Sequence, residues 1–142
     1  MPQQIKVGYR QLVDAANREV ETLSATDAVA LAGNDNVVFV DLRDSRELDR
    51  EGRMPGAFHC PRGMLEFWID PESPYARPIF QEDRKFVFYC ASGWRSALST
   101  KTAATSAAHL SAAVRRKCPS QMSKSSSRTC PSLRWAGTGR PL

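Results

Sequence analysis

The sequence predicts an α/β domain built on a mainly parallel sheet flanked by helices. Three observations carry that prediction. Two continuous apolar runs of strand length, Val37 to Val40 and Phe86 to Tyr89, are hydrophobic at every position, the pattern of strands covered on both faces. Stretches with apolar residues at helical spacing lie between and around them. Strand and helix patterns alternate along the chain, with turn residues at the joins, as parallel crossovers require.

The elements follow in order. Met1 to Gly8 is a lead-in. Tyr9 to Val20 places Leu12, Val13, Ala16 and Val20 on one helical face, so residues 1–20 form an N-terminal helical extension. Glu21 to Leu23 reads as a short edge strand, and Ser24 caps a second helix that stops at Gly33-Asn34. The Val37 run then ends at Asp41-Leu42-Arg43-Asp44, followed by a charged helix from Ser45 to Arg50. Phe58-His59-Cys60 is a short strand stopped by Pro61, and Arg62 to Ile69 forms a helix burying Leu65, Trp68 and Ile69. Pro74 to Gln81 is a loop leading into the Phe86 strand.

At 142 residues the chain has the size of one domain, with enough length to bury a core. No apolar run reaches the length of a membrane span, and Met1 to Ser24 lacks a basic stretch followed by an apolar core, so a cytoplasmic protein is expected. Cys60, Cys90, Cys118 and Cys130 form no C-x-x-C pair, which indicates reduced thiols and neither a zinc site nor a disulfide framework. The net charge of +5 conceals two halves. Residues 1–83 carry 9 Lys and Arg against 15 Asp and Glu, a balance of −6, whereas residues 84–142 carry 11 against none, a balance of +11.

The chemistry concentrates in Lys85 to Ser99, K-F-V-F-Y-C-A-S-G-W-R-S-A-L-S. Cys90 stands at the end of a strand, Ala91 to Trp94 make a tight turn, and Arg95 to Leu98 open a helix. Ligands in α/β folds bind at such strand ends. Loop N–H groups and the positive end of the helix dipole make the place anion-binding and suited to a thiolate nucleophile. Right-handed crossovers bring the Asp41 strand end to the same rim.

Two motifs now acquire a family context. V-F-V-D-L-R-D-S-R-E-L-D-R-E-G-R-M-P-G-A, Val38 to Ala57, resembles the V-D-x-R…E…G-H-I-P-G-A segment of the rhodanese, or single-domain sulfurtransferase, family, with Arg53 at the usual histidine. C-A-S-G-W-R-S, Cys90 to Ser96, resembles that family's persulfide loop. The resemblance covers roughly Glu21 to Thr102. It implies that Cys90 attacks the outer sulfur of a small anionic donor such as thiosulfate, carries it as a persulfide and passes it to a thiol or cyanide. The backbone of Ala91, Ser92, Gly93, Trp94, Arg95 and Ser96 would hold the anionic sulfur, and Arg95 would add positive charge. No metal and no organic cofactor is implied.

Cys90 and Arg95 enclose four residues, one fewer than the C-x-x-x-x-x-R cradle of cysteine-dependent phosphatases and arsenate reductases, which makes phosphoryl transfer the second enzyme reading. A non-catalytic binding or regulatory module on the same fold is the main alternative to sulfur transfer and stands ahead of phosphoryl transfer. Asp41 and Arg43 read as a hydrogen-bonded brace of the rim rather than as catalytic groups. Trp94 either shapes the pocket mouth or covers the loop. Arg62 reads as a surface residue, with contact to an anionic donor as its alternative. Cys60 reads as core, with resolution of the Cys90 persulfide as its alternative, and His59 and His109 have no ligand-spaced partners.

The pattern breaks after Thr100. Through Ser132 there is no β-branched run of strand length, only Ala and Ser interrupted by Arg115-Arg116-Lys117, two Cys-Pro-Ser triplets and Ser125-Ser126-Ser127. The rhodanese-like domain is therefore expected to be incomplete, spanning 21–108, with its last strand and closing helix missing or disordered and a basic low-complexity tail over 109–142. Loss of acidic residues at the point where the family pattern should continue indicates a shifted reading frame beginning between Lys101 and Ala108. A basic arm binding nucleic acid non-specifically, or an inert solvated end, are the alternatives. A missing strand would leave the Cys90 strand with an open edge, inviting homodimerisation and lowering stability and activity.

Overall fold

The computed structural model describes residues 3–114. Five strands, β1 (Glu21–Leu23), β2 (Val37–Asp41), β3 (Phe58–His59), β4 (Lys85–Tyr89) and β5 (Ala112–Val114), form one sheet in the order β1-β5-β4-β2-β3. Every pairing is parallel. The helices are α1 (Tyr9–Glu19), α2 (Ala25–Ala30), α3 (Ser45–Glu51), α4 (Leu65–Ile69) and α5 (Trp94–Ser106), with single 3₁₀ turns at Arg62–Met64 and Pro78–Gln81. Among the described residues no helix is long and apolar enough to cross a membrane.

Local sequence explains the boundaries. The Ser24 side chain accepts from the Asp27 N–H and starts α2. Asp44 and Glu47 form a reciprocal capping box at the head of α3, which satisfies two otherwise orphaned N–H groups. The chain leaves α3 through Gly52 at φ +86°, a conformation that costs glycine nothing.

Side chains on β2 and β4 alternate between two cores, as the period of a strand dictates. Val38, Val40, Phe86 and Phe88 face Leu65, Ile69 and Ala103, the inner faces of α4 and α5. Phe39, Val37 and Val87 face Ala28 of α2 and Met54 on the other side. Phe86 and Phe88 are fully buried, each contributing about 2–3 kcal/mol of burial. α1 packs outside α5 through Val13, Ala16 and Ala97.

The expectation that the last strand is missing is corrected here. Ala112–Val114 is a strand and lies beyond the expected domain limit at Ala108. It pairs with β4 at Val87 and Phe88 and with β1 at Glu21, Thr22 and Leu23. The β4 edge expected to lie open is thus occupied at those two residues, which removes the stated ground for dimerisation there. A slot flanked by strands on both sides supplies ladder hydrogen bonds and burial to whatever occupies it. Ala112 and Ala113, almost wholly buried beside Leu110, fit that slot without being strong strand formers, because strand preference is set by packing context. The expected closing helix and the basic tail from Arg115 onward, with Cys118 and Cys130, lie outside the described residues.

Candidate active site

Parallel pairing of β2 with β4 runs from Val37 opposite Lys85 to Asp41 opposite Tyr89, so the C-terminal ends of both strands share one rim. Cys90 follows Tyr89 directly. Gly93, at φ +84°, turns the chain into α5, a left-handed conformation that a side chain would strain. This turn folds the loop back over the half-buried Cys90 sulfur. Sγ accepts hydrogen bonds from the Gly93 N–H at 3.2 Å and the Ser96 N–H at 3.3 Å. The thiol in turn faces the Ser96 hydroxyl at 3.7 Å. Ser96 is fully buried, and its Oγ lies 3.1 Å from the Gly93 carbonyl and 3.2 Å from the Val114 carbonyl, tying the loop to the end of β5. Two N–H donors and the first turn of α5 therefore converge on one sulfur, an arrangement that stabilises negative charge there.

Arg43 and Arg95, one from each motif, are both engaged. Arg95 makes a two-pronged pair with Glu47, Nη1 to Oε2 at 2.8 Å and Nη2 to Oε1 at 2.7 Å. The bonded guanidinium lowers the Glu47 carboxyl to about 2, and the Glu47 carboxylate raises Arg95. Arg95 thus fastens α5 to the head of α3, and its charge is balanced at that joint. Arg43 grips the buried Asp41 carboxylate through Nε at 3.0 Å and Nη2 at 2.8 Å, and donates to the Gly52 carbonyl at 2.9 Å. Tyr89 completes the group by donating its hydroxyl to Asp41 at 2.9 Å. Burial, then the neighbouring Asp41 charge, holds the Tyr89 phenol above its ordinary range. Asp41 and Arg43 are accordingly placed as a buried brace between β2, β4 and the α3 exit, with His59 Nε2–H donating to the Arg43 carbonyl at 2.7 Å.

Beside the sulfur lies a cavity of about 40 Å³, lined by Ala25, Ala28, Val29, Phe39, Met54, Tyr89, Cys90 and Val114. Almost all of that lining is aliphatic or aromatic.

Other candidates sit elsewhere. Trp94 is not among the residues lining this cavity and lies against Tyr9 of α1, ring centroids 5.0 Å apart. Cys60 is wholly buried in the core with Leu65 and Phe80. Burial pushes its thiol up to about 12. Arg62 pairs with Glu66 one helical turn on, at 2.8 Å. His109 lies against the Phe80 carbonyl and the Phe86 ring. Three contributors escaped the sequence reading: Glu47, Tyr89 and the α2 wall of Ala25, Ala28 and Val29. Glu47 stood in the first motif at its glutamate and could have been paired with Arg95 by charge. Tyr89 and the small α2 residues look like ordinary core.

The rhodanese-like domain model matches residues 24–116. A protein of unknown function from Rhodopseudomonas palustris, described as a "possible tyrosine phosphatase", is similar in structure with a TM-score of 0.78 and 56% identity, over 81% of this chain and 89% of that one. The human single domain sulfurtransferase is similar with a TM-score of 0.51 and 23% identity, over 66% of this chain and 87% of that one. A rhodanese-related protein of Thermoplasma volcanium is similar with a TM-score of 0.51 and 22% identity, over 67% and 83%. The likeness to these last two is one of fold. No curated protein matches the chain. The match over most of the chain, on a parallel sheet whose loop cysteine is cradled by N–H groups, places the protein in the rhodanese-like domain family.

Proposed function

We propose that the protein is a sulfurtransferase that carries a sulfane sulfur on Cys90. The observation that carries this is the Cys90 sulfur held between the Gly93 and Ser96 N–H groups. In the first half-reaction the Cys90 thiolate attacks the outer sulfur of a donor such as thiosulfate. A new S–S bond forms at Sγ, the donor's S–S bond breaks, and sulfite departs with the electron pair. In the second, an acceptor thiolate or cyanide attacks the outer sulfur of the persulfide, and Cys90 leaves as a thiolate. The same N–H groups face negative charge on the sulfur at the start and end of the cycle, so they need little rearrangement. The chemistry asks for a nucleophile and an anion cradle, both supplied by this chain.

The Rhodopseudomonas relative brings phosphoryl transfer forward as a second reading. A phosphate in the loop would call on the Arg95 guanidinium, which is committed to Glu47, and the loop holds four residues between Cys90 and Arg95. Both features favour sulfur. Incubation with thiosulfate and cyanide is expected to yield thiocyanate, with no turnover in Cys90→Ser and no hydrolysis of an aryl phosphate. Aryl phosphate hydrolysis without thiocyanate would support the second reading. The absence of both products would support a binding module.

A further inference from the structure

The chain offers the Cys90 sulfur two different surroundings. One side is the loop, where the N–H groups of Gly93 and Ser96 point at Sγ. Next to Sγ is the cavity walled by Ala25, Ala28 and Val29 of α2, Phe39 of β2, Met54 and Val114. The reaction likewise has two unlike participants. The donor leaves as an anion, which an apolar wall would penalise and N–H groups would welcome. The acceptor is a thiol whose sulfur reacts while its carbon substituent needs a place to lie.

The charged groups near this end of the sheet sharpen the contrast. Arg95 is balanced by Glu47, and Arg43 by Asp41. Tyr89 contributes to the cavity, but its hydroxyl is directed at Asp41. No described cation among the lining residues is available for a carboxylate or sulfonate on the acceptor. A cavity of about 40 Å³ has room for roughly three water-sized positions, which fits two or three carbon atoms.

Resting on the sulfur-transfer reading, we infer that the cavity beside Cys90 selects the acceptor, and that the acceptor class is a small thiol with a short uncharged alkyl substituent rather than an anionic or zwitterionic thiol. The acceptor thiolate attacks the outer sulfur of the Cys90 persulfide, its alkyl chain lying against Ala28, Val29 and Met54. The Cys90–S bond breaks, Cys90 recovers the electron pair as a thiolate, and the transferred sulfur leaves as the alkyl persulfide anion, keeping the charge that thiosulfate loading left on it. Val29 is the specificity residue open to change, because it lines the cavity and is nonetheless 44% exposed.

The test uses the full chain loaded with thiosulfate, freed of donor, and mixed in single turnover with 1-propanethiol or with 2-mercaptoethanesulfonate. Decay of the persulfide is followed by intact mass, and each rate is corrected for the fraction of thiolate. Propanethiol is expected to react faster by about tenfold, the discrimination a small apolar pocket provides. In Val29→Lys that preference is expected to reverse in favour of the sulfonate, the ratio being taken over protein already loaded with sulfur and shown to be folded by its melting transition. Equal corrected rates for the two thiols, or an unchanged ratio in Val29→Lys, would overturn the inference while leaving sulfur transfer standing. Failure of thiosulfate to load Cys90 would overturn both.

Discussion

Two cysteines stand at strand ends on the same rim of one parallel sheet, on either side of β2, and their surroundings differ. Cys60 follows β3 and runs straight into Pro61. The 3₁₀ turn that follows it spends the Met64 N–H on the Pro61 carbonyl at 2.9 Å rather than on the sulfur, and the Cys60 thiol itself faces that carbonyl at 3.8 Å. Sealed in the core at 0% exposure, it has a thiol pushed up to about 12 by burial. Cys90 follows β4 and enters a turn that Gly93 closes, so two backbone N–H groups reach its sulfur. The residue type and the rim are the same. What differs is the chain immediately downstream, which leaves one sulfur without backbone N–H donors and gives the other two.

The strongest way to break the comparison is to exchange the roles by mutation. Cys90→Ser is expected to abolish sulfur loading entirely, measured as thiocyanate production, whereas Cys60→Ser should leave loading per folded molecule unchanged. The next effect in size comes from the turn. Gly93→Ala forces a side chain into a left-handed conformation, with strain of about 1–2 kcal/mol, and moves the N–H groups off the sulfur. Loading by thiosulfate should slow by about tenfold or more, and a rate equal to that of the parent would show that the cradle is not needed. Cys60→Ser places a hydroxyl in an apolar core and should cost about 1–3 kcal/mol of stability by denaturant unfolding. Mild alkylation of the native protein followed by peptide mapping should label Cys90 and spare Cys60.

The smallest effect concerns the joint that holds the loop helix. Glu47 has a folded-state value of about 2 against an ordinary 4.5, so its stabilising contribution is present above about pH 4.5 and disappears as the pH falls toward 2. Glu47→Gln should lower the melting temperature at neutral pH through a loss of about 1–3 kcal/mol. The gap between variant and parent should close between pH 4.5 and 2. A gap independent of pH would mean that the carboxylate charge contributes nothing to the joint.

Much of this was legible because the residues concerned obey local rules. The Val37 and Phe86 runs and the Ser24 cap each state their own conformation, and the position of Cys90 follows from the Phe86 run and the turn and helix start after it. The Cys90 to Ser96 and Val38 to Ala57 motifs carried the family. β5 was not legible, because Ala112 and Ala113 form a strand only through Glu21 to Leu23 on one side and Val87 and Phe88 on the other. That partnership exists in space and not along the chain. The cavity beside Cys90 escaped for the same reason, since α2, Met54 and β5 meet only after folding. The Arg95–Glu47 pair likewise joins residues distant in sequence and becomes visible only in the fold.

The central claim is that Cys90 carries sulfur. Intact-mass spectrometry of the protein after incubation with thiosulfate, without reducing agent, measures it directly. A gain of one sulfur atom, absent in Cys90→Ser, retained in Cys60→Ser and reversed by cyanide, is the predicted result. An unchanged mass, or an adduct that persists in Cys90→Ser, would contradict it.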